Sequence, residues 1–252
     1  MTARVALVRA DNPGPFTLSG TNTWLVGADP CWVVDPGPDQ PGHVERVLEA
    51  AQRLGGVGGV VLTHDHSDHA GGLAALVAGA GSPVVAAARH PADVRLGDGD
   101  EIGPFVAVAT PGHAPDHLAF VVGDICFTGD AVLGQGSVFV SPDPGALAGY
   151  LEALGRLRAM CLERLLPGHG EAVEDPGAKL DEYVAHRLDR ERRLVAALDA
   201  GRRSVDELLQ DAWADVPTAL RGAATVTLMA HLDKLEGEGR LPEGVERPEW
   251  MR

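Results

Sequence analysis

The sequence predicts a mixed α/β or α+β domain over residues 1–176 and a small helical module over residues 177–252. The first prediction rests on short apolar segments that alternate with stretches of helical periodicity. The second rests on a change of character at residues 174–177, after which charged amphipathic helices replace the strand pattern. These patterns alone leave the order of the strands open.

Strands in the larger domain are predicted from apolar, mostly β-branched segments that turn residues separate. The segments with this pattern are residues 5–8, 23–26, 32–35, 59–62, 84–87, 105–110, 118–122 and 125–128. Helical spacing of apolar residues is found at residues 43–54, 72–78 and 145–160. One more short strand is expected just before Gly168.

The module begins with a long charged helix, predicted over residues 179–199 and ended by Gly201. The apolar stripe expected on this helix consists of Leu180, Tyr183, Val184, Leu188, Leu194 and Leu198. Ser204 and Glu207 have the spacing of a capping box, and a further amphipathic helix is expected at residues 225–236. A helix pair followed by a Gly-rich basic turn resembles a winged-helix module. The alternative is a helical cap that only packs on the larger domain.

The composition bears on partners and on location. A formal net charge of −15 disfavours a protein that coats nucleic acid, and we expect no stable binding of duplexes. A metal pair or a local basic groove would still provide positive charge locally. Three widely spaced cysteines suit a reducing compartment, and neither a signal-peptide pattern nor a membrane-length apolar run is present. The expectation is a cytoplasmic protein without membrane contact and of open oligomeric state.

The densest group of chemically active side chains follows the predicted strand at residues 59–62. His64, His66, Asp68 and His69 lie there within six residues, at a carboxyl strand end, where open α/β sheets place their sites. The spacing lets the first two histidines point the same way, while the other two residues face a second point. One metal does not easily use all four groups, whereas two metals about 3.5–4 Å apart do. The segment therefore predicts a two-metal site.

Three further residues, of types that can bind metals, stand beside glycines at predicted strand ends: His113, Asp130 and His169. Each is a weak signal alone. Together with the cluster they give five histidines and two aspartates, which suffices for two zinc ions with open positions for water. Two zinc ions are the expected cofactors, and the same ligand types accept iron or manganese.

This set of residues resembles the ligand set of the metallo-β-lactamase superfamily, whose fold is a four-layer αββα sandwich. The resemblance implies that one metal is held by His64, His66 and His113. It implies that the other is held by Asp68, His69 and His169, and that Asp130 bridges the two metals. Asp35 matches an aspartate at the end of an early strand in that family, which supports a metal ligand from behind.

A closer resemblance, to the β-lactamase-like protein 2 group, covers nearly the whole chain. The segments that carry it are residues 12–23, 110–117, 129–136, 183–187 and 231–236. That group includes a mitochondrial endoribonuclease that acts on single-stranded RNA, bacterial relatives of unassigned substrate, and fungal thioesterases that release polyketides from carrier proteins. The resemblance implies the fold and the metals and leaves the substrate open.

Three residues are weaker candidates for a place near the substrate or behind the ligands. His117 is expected mainly as a hydrogen-bond partner that supports the site. For His186 and Arg187, a solvated face of the charged helix and an anion-binding position in the pocket are equally favoured. The histidines predicted to be structural are His43, His90 and His231.

The predicted reaction is hydrolysis by a metal-activated water, with Asp68 and Asp130 as the catalytic carboxylates. Cleavage of single-stranded RNA is the first expectation, although the negative charge and an aromatic content of 4% stand against it. The alternative is hydrolysis of a thioester or ester, from a small molecule or an acyl carrier. β-Lactam hydrolysis is disfavoured because Asp130 stands where true metallo-β-lactamases have Cys or Ser. A non-enzymatic protein with a vestigial site is disfavoured because every ligand position is filled.

Overall fold

The computed structural model describes residues 4–89 and 92–248, and these residues include two mixed sheets. The first sheet follows the order of the chain through its six strands: β1 (Val5–Arg9), β2 (Asn22–Val26), β3 (Cys31–Val34), β4 (Val57–Val61), β5 (Val84–Ala87) and β6 (Val94–Arg95). Strands β1 to β3 pair antiparallel, and β3 to β6 pair parallel. The parallel half points the carboxyl ends of β3 and β4 to one edge.

The second sheet has the spatial order β11-β10-β9-β8-β7. Its strands are β7 (Glu101–Ile102), β8 (Phe105–Ala109), β9 (Leu118–Val122), β10 (Ile125–Gly129) and β11 (Arg164–Pro167). Only the β10–β11 pair is parallel. As a result, β8, β10 and β11 end on the same side of this sheet.

The helices complete the fold. They are α1 (Pro41–Gln52), α2 (Ser67–Ala70), α3 (Leu73–Ala80), α4 (Ala146–Ala159), α5 (Pro176–Asp199), α6 (Val205–Ala212) and α7 (Arg221–Gly237), with a 3-10 helix at Thr218–Leu220. None of the described helices has both the length and the apolar content required to span a membrane. Most predicted elements are therefore present, with ends shifted by a few residues. Strands β6 and β7 were missed because two residues are too few to establish a period.

Alternating residues of the strands show how the layers stack. Val34 and Val61 of the first sheet share a buried cluster with Phe120 and Phe127 of the second, so the two sheets face each other. On the outer face of the first sheet, a separate cluster includes residues of α1 and α3. On the outer face of the second sheet, another cluster includes α4 and the first half of α5. The architecture is the αββα sandwich that the resemblance implies.

Helix α5 belongs to two cores at once. Leu180 and Tyr183 pack in the cluster on the second sheet, whereas Leu194 and Leu198 pack with α6 and α7 in a cluster of the C-terminal module. The division of the chain after residue 176 stays a prediction, since this helix is continuous across both cores. The capping box of Ser204 and Glu207 at the start of α6 is confirmed, because both of its hydrogen bonds are present.

The predicted stripe of α5 is wrong at Leu188, whose side chain is 51% exposed. Arg187 and Arg190 are buried on the face that packs against the protein. Both arginines lie at helical spacing from Leu180, Tyr183 and Leu194, so the buried face continues through them. The prediction placed Leu188 on the buried face because leucine is apolar. The helical spacing instead places Arg187 and Arg190 on that face.

Candidate metal centre

Strands of both sheets end at one edge of the sandwich, and the predicted metal ligands lie there. His64 and His66 follow β4, and Asp68 and His69 lie on the single turn of α2. His113 comes after β8, while Asp130 and His169 come directly after β10 and shortly after β11. The fold thus brings together ligand candidates that are separated by as many as 105 positions in the sequence, from His64 to His169.

The first group of donors consists of His64, His66 and His113, whose ligand atoms all lie within 4.8 Å of one another. Nδ1 of His66 is 2.9 Å from Nε2 of His64 and 3.0 Å from Nε2 of His113. Three imidazole nitrogens that converge on one point fit a bound cation better than a set of mutual hydrogen bonds, since each pair requires one proton between two acceptors. This is the donor set of the first predicted metal.

The second group consists of Asp68, His69 and His169, again within 4.8 Å. Nε2 of His169 is 3.2 Å from Oδ2 of Asp68 and 3.3 Å from Nε2 of His69. The side chain of Asp68 is 30% exposed, whereas those of the two histidines are buried. The group therefore combines two enclosed nitrogen donors with one carboxylate that solvent reaches.

Asp130 lies between the two groups. Its Oδ1 is 3.4 Å from Nε2 of both His69 and His169, and its Oδ2 is 3.6 Å from Nε2 of His113. Oδ1 is buried and has no hydrogen-bond partner within residues 4–89 and 92–248. A buried carboxylate oxygen without a partner is costly, and a cation at this point would stabilise it. Nitrogen and carboxylate donors in this number fit zinc, and they also suit iron or manganese.

Burial keeps most of the histidines of the first group neutral. It holds the pKa of His64 well below its usual value and lowers that of His113 to about 4. Burial also opposes protonation of His69, but Asp130 and Asp35 outweigh it and raise the pKa of that residue. Neutral imidazoles offer the lone pairs that metal binding needs.

Asp35 supports the second group from behind. Its Oδ2 accepts a hydrogen bond from Nδ1 of His69 at 2.9 Å and another from the hydroxyl of Thr63 at 2.7 Å. Its Oδ1 accepts from the backbone N–H of Thr63 at 2.8 Å. A hydrogen bond at Nδ1 orients the ring of His69 so that Nε2 points at the other donors. The position expected for Asp35 agrees with this geometry.

His117 is placed as the predicted supporting residue. Its Nδ1 is 2.7 Å from the hydroxyl of Thr110, and its Nε2 accepts a hydrogen bond from the backbone N–H of Asp130 at 3.1 Å. Burial lowers the pKa of His117 to about 3, so the ring is a neutral acceptor. It fixes the backbone that carries Asp130.

Glycines permit the crowding at the site. A Cβ atom at Gly168 would lie 2.6 Å from Cε1 of His69 and 2.7 Å from Oδ1 of Asp130. At Gly129, where φ is +45°, it would lie 2.6 Å from the hydroxyl of Thr63. The glycines next to the candidate ligands are therefore required by close approach, and not only by turn formation.

A cleft of about 330 Å³ opens beside His113 and Asp130 and extends between the sandwich and the C-terminal module. Its apolar lining consists of Pro15, Phe16, Leu18, Leu133, Val138, Phe139, Trp213, Val216, Pro217, Leu220, Ala223 and Ala224. The polar side chains besides the metal-site residues include His186, Arg187, Arg190 and Asp215. The module therefore forms one wall of the space that a substrate would occupy.

His186 and Arg187 both line this cleft, so a purely solvated face is wrong for this part of α5. Burial lowers the pKa of His186 to about 4, and its Nε2 accepts a hydrogen bond from Arg190 at 3.3 Å. A neutral His186 is not an anion binder at neutral pH. Arg187 is buried and charged, so only this residue of the pair keeps the predicted capacity to bind an anion.

Sequence reasoning missed Phe16, Arg190, Trp213 and Asp215 as cleft residues. A weak signal for Phe16 was present in the sequence, because a large aromatic side chain in a Gly- and Pro-rich surface loop is not needed to form the core. No local signal marked the others, because they come from module segments that also form its core.

Of the remaining histidines, His43 and His231 belong to none of the donor groups. His43 is buried, and its Nε2 is 2.9 Å from the hydroxyl of Thr23. His231 is buried beside Trp213, with ring centroids 5.7 Å apart. The structural role predicted for these two agrees with their positions. His90 lies outside the described residues.

Two family models match the chain. One, described as the metallo-beta-lactamase superfamily, matches residues 16–94 and 87–169. The other, described as a beta-lactamase associated winged helix domain, matches residues 204–246 and confirms the predicted winged-helix character of the module.

Similar proteins extend over nearly the full chain. An atrochrysone carboxyl ACP thioesterase from Aspergillus chevalieri is 34% identical and aligns with 98% of this chain and 87% of its own. A beta-lactamase-like protein 2 homolog from Drosophila melanogaster is 28% identical, over 96% of this chain and 90% of its own. The structure of a beta-lactamase domain protein from Burkholderia ambifaria superposes with a TM-score of 0.81 at 25% identity, over 93% of this chain and 86% of that one.

Proposed function

The chain belongs to the metallo-beta-lactamase superfamily, and from this premise we propose that it uses two zinc ions to hydrolyse thioesters or esters whose acyl part is largely apolar. The observation that carries the proposal is the cleft beside His113 and Asp130, whose walls are mainly apolar. A mainly apolar cleft beside the reacting centre suits an acyl chain or ring. A strand of nucleotides requires an open groove with repeated positive charge.

The residues that would hold the metals fall into the two groups described above, with Asp130 between them. His64, His66 and His113 would hold one ion, and Asp68, His69 and His169 the other. Bound zinc at such a site lowers the pKa of water and polarises the oxygen of the substrate carbonyl.

Asp68 would be the residue that moves protons. Its side chain is 30% exposed, against 10% for that of Asp130, and Nε2 of His169 lies 3.2 Å from its Oδ2. A carboxylate in this position accepts a proton from the attacking water and delivers it to the leaving thiol or alcohol. In the balanced reaction, water adds its oxygen to the carbonyl carbon, the C–S or C–O bond breaks, and the proton goes to the leaving group.

Asp35 and His117 would hold the machinery in place. Asp35 orients His69 through Nδ1, and His117 accepts from the backbone of Asp130. The walls of the cleft exclude water from the acyl group, and they leave the carbonyl near the metal ligands. The similarity to a protein named as an acyl carrier thioesterase supports this assignment.

Cleavage of single-stranded RNA is the second candidate. The winged-helix match and the similarity to beta-lactamase-like protein 2 homologs favour it. The charges of the cleft argue against it, because Asp215 neutralises Arg190 and leaves one uncompensated arginine. The sequence favoured RNA over thioesters; the apolar cleft reverses that order, and both remain proposals. A cytoplasmic location is part of the same proposal, supported by the free, buried thiols of Cys31 and Cys126.

The test is a comparison of substrates with zinc-loaded protein. Phenyl thioesters of increasing acyl length are offered beside labelled single-stranded RNA, and metal content is measured in each sample. We expect thioester hydrolysis with kcat/KM that rises with acyl length, and we expect its loss in the Asp68→Asn variant. Asp65→Asn is the matched control, since Asp65 is exposed in the same segment and belongs to none of the donor groups.

Two outcomes contradict the proposal. RNA cleavage by the native protein, absent in the Asp68→Asn variant and unaccompanied by thioester hydrolysis, would assign the second function. Equal thioester hydrolysis by the native protein and by Asp68→Asn would remove Asp68 from the reaction.

A further inference from the structure

Arg187 is a buried cation in the wall of the cleft. Its side chain is among the largest that are fully buried, with 2% of the residue exposed, and it borders the cavity. Burying a guanidinium costs free energy unless an opposite charge compensates it. Within residues 4–89 and 92–248, no carboxylate lies within 4.0 Å of this group. A charge in this position needs a partner that the described chain does not provide.

The titratable neighbours of Arg187 do not supply that partner. Its Cζ lies 5.6 Å from the centroid of the Tyr150 ring, and burial raises the pKa of Tyr150 to about 12. Burial likewise raises the pKa of Tyr183, so both phenols stay neutral. Burial lowers the pKa values of His186 and His231, which are neutral as well. None of these four neighbours therefore carries a charge that compensates the guanidinium.

Arg190, one helical turn further along α5, shows what a compensated arginine looks like in the same cleft. Its Nη1 and Nη2 lie 2.6 Å and 2.8 Å from the two carboxylate oxygens of Asp215. Its Nη1 also donates to the carbonyl of Ala212, and its Cζ lies 5.7 Å from the centroid of the Trp213 ring. Arg190 and Asp215 cancel, so Arg187 leaves a net charge of +1 in the cleft outside the metal ligands.

The donors of Arg187 are only partly used. Its Nη2 donates to the hydroxyl of Ser137 at 3.0 Å and to the carbonyl of Val138. Nε is buried and has no partner among the described residues, and the hydrogen bonds recorded for this side chain all come from Nη2. A fixed guanidinium with free donors on its planar fork suits a carboxylate.

We propose that Arg187 binds a free carboxylate on the acyl part of the substrate, so that the preferred substrates are monothioesters or monoesters of dicarboxylic acids. This inference rests on the proposed function and names its substrate class. A single carboxylate matches the single uncompensated charge. A polyphosphate chain would bring several negative charges into a cleft that offers only one uncompensated cation outside the metal ligands.

Arg187 has a second contact that the test must separate from substrate binding. Its partners Ser137 and Val138 directly precede Phe139, whose carbonyl is 3.4 Å from Nδ1 of His113. Loss of the guanidinium therefore has a route to a candidate metal ligand. Metal content is therefore measured for every variant. The comparison uses pairs of substrates that carry the same thioester group, so that a damaged metal site lowers both rates alike.

The experiment compares a phenyl monothioester of a dicarboxylic acid with its terminal carboxamide, at several chain lengths, on zinc-loaded protein. The acid and the amide differ only at the far end, so their kcat/KM ratio reports recognition of that end. We expect the native protein to prefer the acid by about 10- to 100-fold, the range of a charge-assisted hydrogen bond. Arg187→Met should bring the ratio close to one, and Arg187→Lys should restore part of it.

The matched control is Arg192→Met, on the same helix, where the arginine is 74% exposed and pairs with Asp189. This variant should keep the native ratio of acid to amide. A structural role for Arg187 alone would lower both rates together in Arg187→Met and leave the ratio unchanged, which would overturn the proposal. If Arg187→Met does not fold, the native ratio decides, because equal rates or a preference for the amide also overturn it.

Failure of the proposed function is distinguishable from failure of this inference. Hydrolysis of acid and amide at equal rates keeps the esterase function and removes the role of Arg187. If neither is hydrolysed by metal-loaded protein, calorimetry with the non-hydrolysable thioether analogues of acid and amide replaces the rates. Tighter binding of the acid, lost in Arg187→Met, supports the inference without the esterase function, whereas equal binding overturns it.

Discussion

The two ends of the cleft are built from different kinds of residue. At the metal end, the candidate ligands are histidines and aspartates in the loops and the single helical turn that follow the strand ends. At the module end, Trp213 and Leu220 line the cleft beside Arg190, and Trp213 also belongs to the core of the module. The candidate ligands are thus concentrated in local segments, whereas the opposite wall of the cleft includes residues that also stabilise the fold.

This difference determines what a substitution does. A change at the metal end should affect catalysis more than it affects the free energy of unfolding, because the ligands follow strand ends and the sheets are held elsewhere. A change in the module wall should affect both, unless it is made at a residue that lines the cleft without belonging to a core. Three substitutions measure how sharply the two ends are separated.

The largest effect is expected from Gly168→Ala at the metal end. The new Cβ would lie 2.6 Å from His69 and 2.7 Å from Asp130, so two candidate ligands must move. A displacement of about 1 Å at a reacting centre costs on the order of 100-fold in rate. We expect kcat/KM to fall at least that far and bound zinc to decrease, as measured by activity and by metal analysis after dialysis.

The control for Gly168→Ala is Gly155→Ala in α4, where the added Cβ meets nothing within 4 Å. Alanine is a better helix former than glycine by about 0.5–1 kcal/mol, so this variant should be slightly more stable and fully active. Normal zinc content and activity in Gly168→Ala would contradict the close approach of Gly168 to His69 and Asp130 on which this prediction rests.

An intermediate effect is expected from Asp35→Asn, behind the metal end. The amide retains an acceptor for the backbone of Thr63 but loses the negative charge that faces Nδ1 of His69. Loss of such a supporting carboxylate typically lowers metal affinity about 10- to 100-fold. Competition with a chelator measures the affinity, and Asp199→Asn, at an exposed position at the end of α5, is the control. An unchanged affinity in Asp35→Asn would remove Asp35 from the metal site.

The sequence predicted which residues come together at the metal end, and the reason is physical. His64, His66, Asp68 and His69 are close together along the chain, so they form a spacing motif. The distant candidates were marked by glycines at strand ends, and the resemblance divided the set between two metals. Strands such as β5 and β9 matched their predicted limits because they are buried and bounded by turn residues. Local patterns therefore indicated both the chemistry and most of the elements that carry it.

The module wall could not be predicted in the same way. On α5, the buried face passes through Leu180, Tyr183, Arg187, Arg190 and Leu194, but the prediction chose Leu188 because leucine is apolar. Whether an arginine on a helix faces solvent or a cavity depends on the partner across the interface. Here those partners are residues 137 and 138 and the region of Trp213 and Asp215, which no spacing along α5 reveals.

The smallest effect is expected from Phe16→Ala, at the rim of the cleft. Phe16 is 54% exposed and lines the cavity, yet its loop is held independently by hydrogen bonds of Thr17 and Thr21 to Asn12. The ring is therefore available to cover the apolar part of a bound acyl group without a role in folding. Partial burial of an aromatic ring contributes about 1 kcal/mol, so KM for a long acyl thioester should rise about 3- to 10-fold. The rise should shrink as the acyl chain shortens, while kcat and Tm stay unchanged.

Leu188→Ala, which removes an equally exposed apolar side chain outside the cleft lining, should leave KM as it is. If Phe16→Ala lowered Tm as much as a core substitution, or raised KM equally for short and long chains, the separation between a wall that selects and a core that stabilises would fail at this residue.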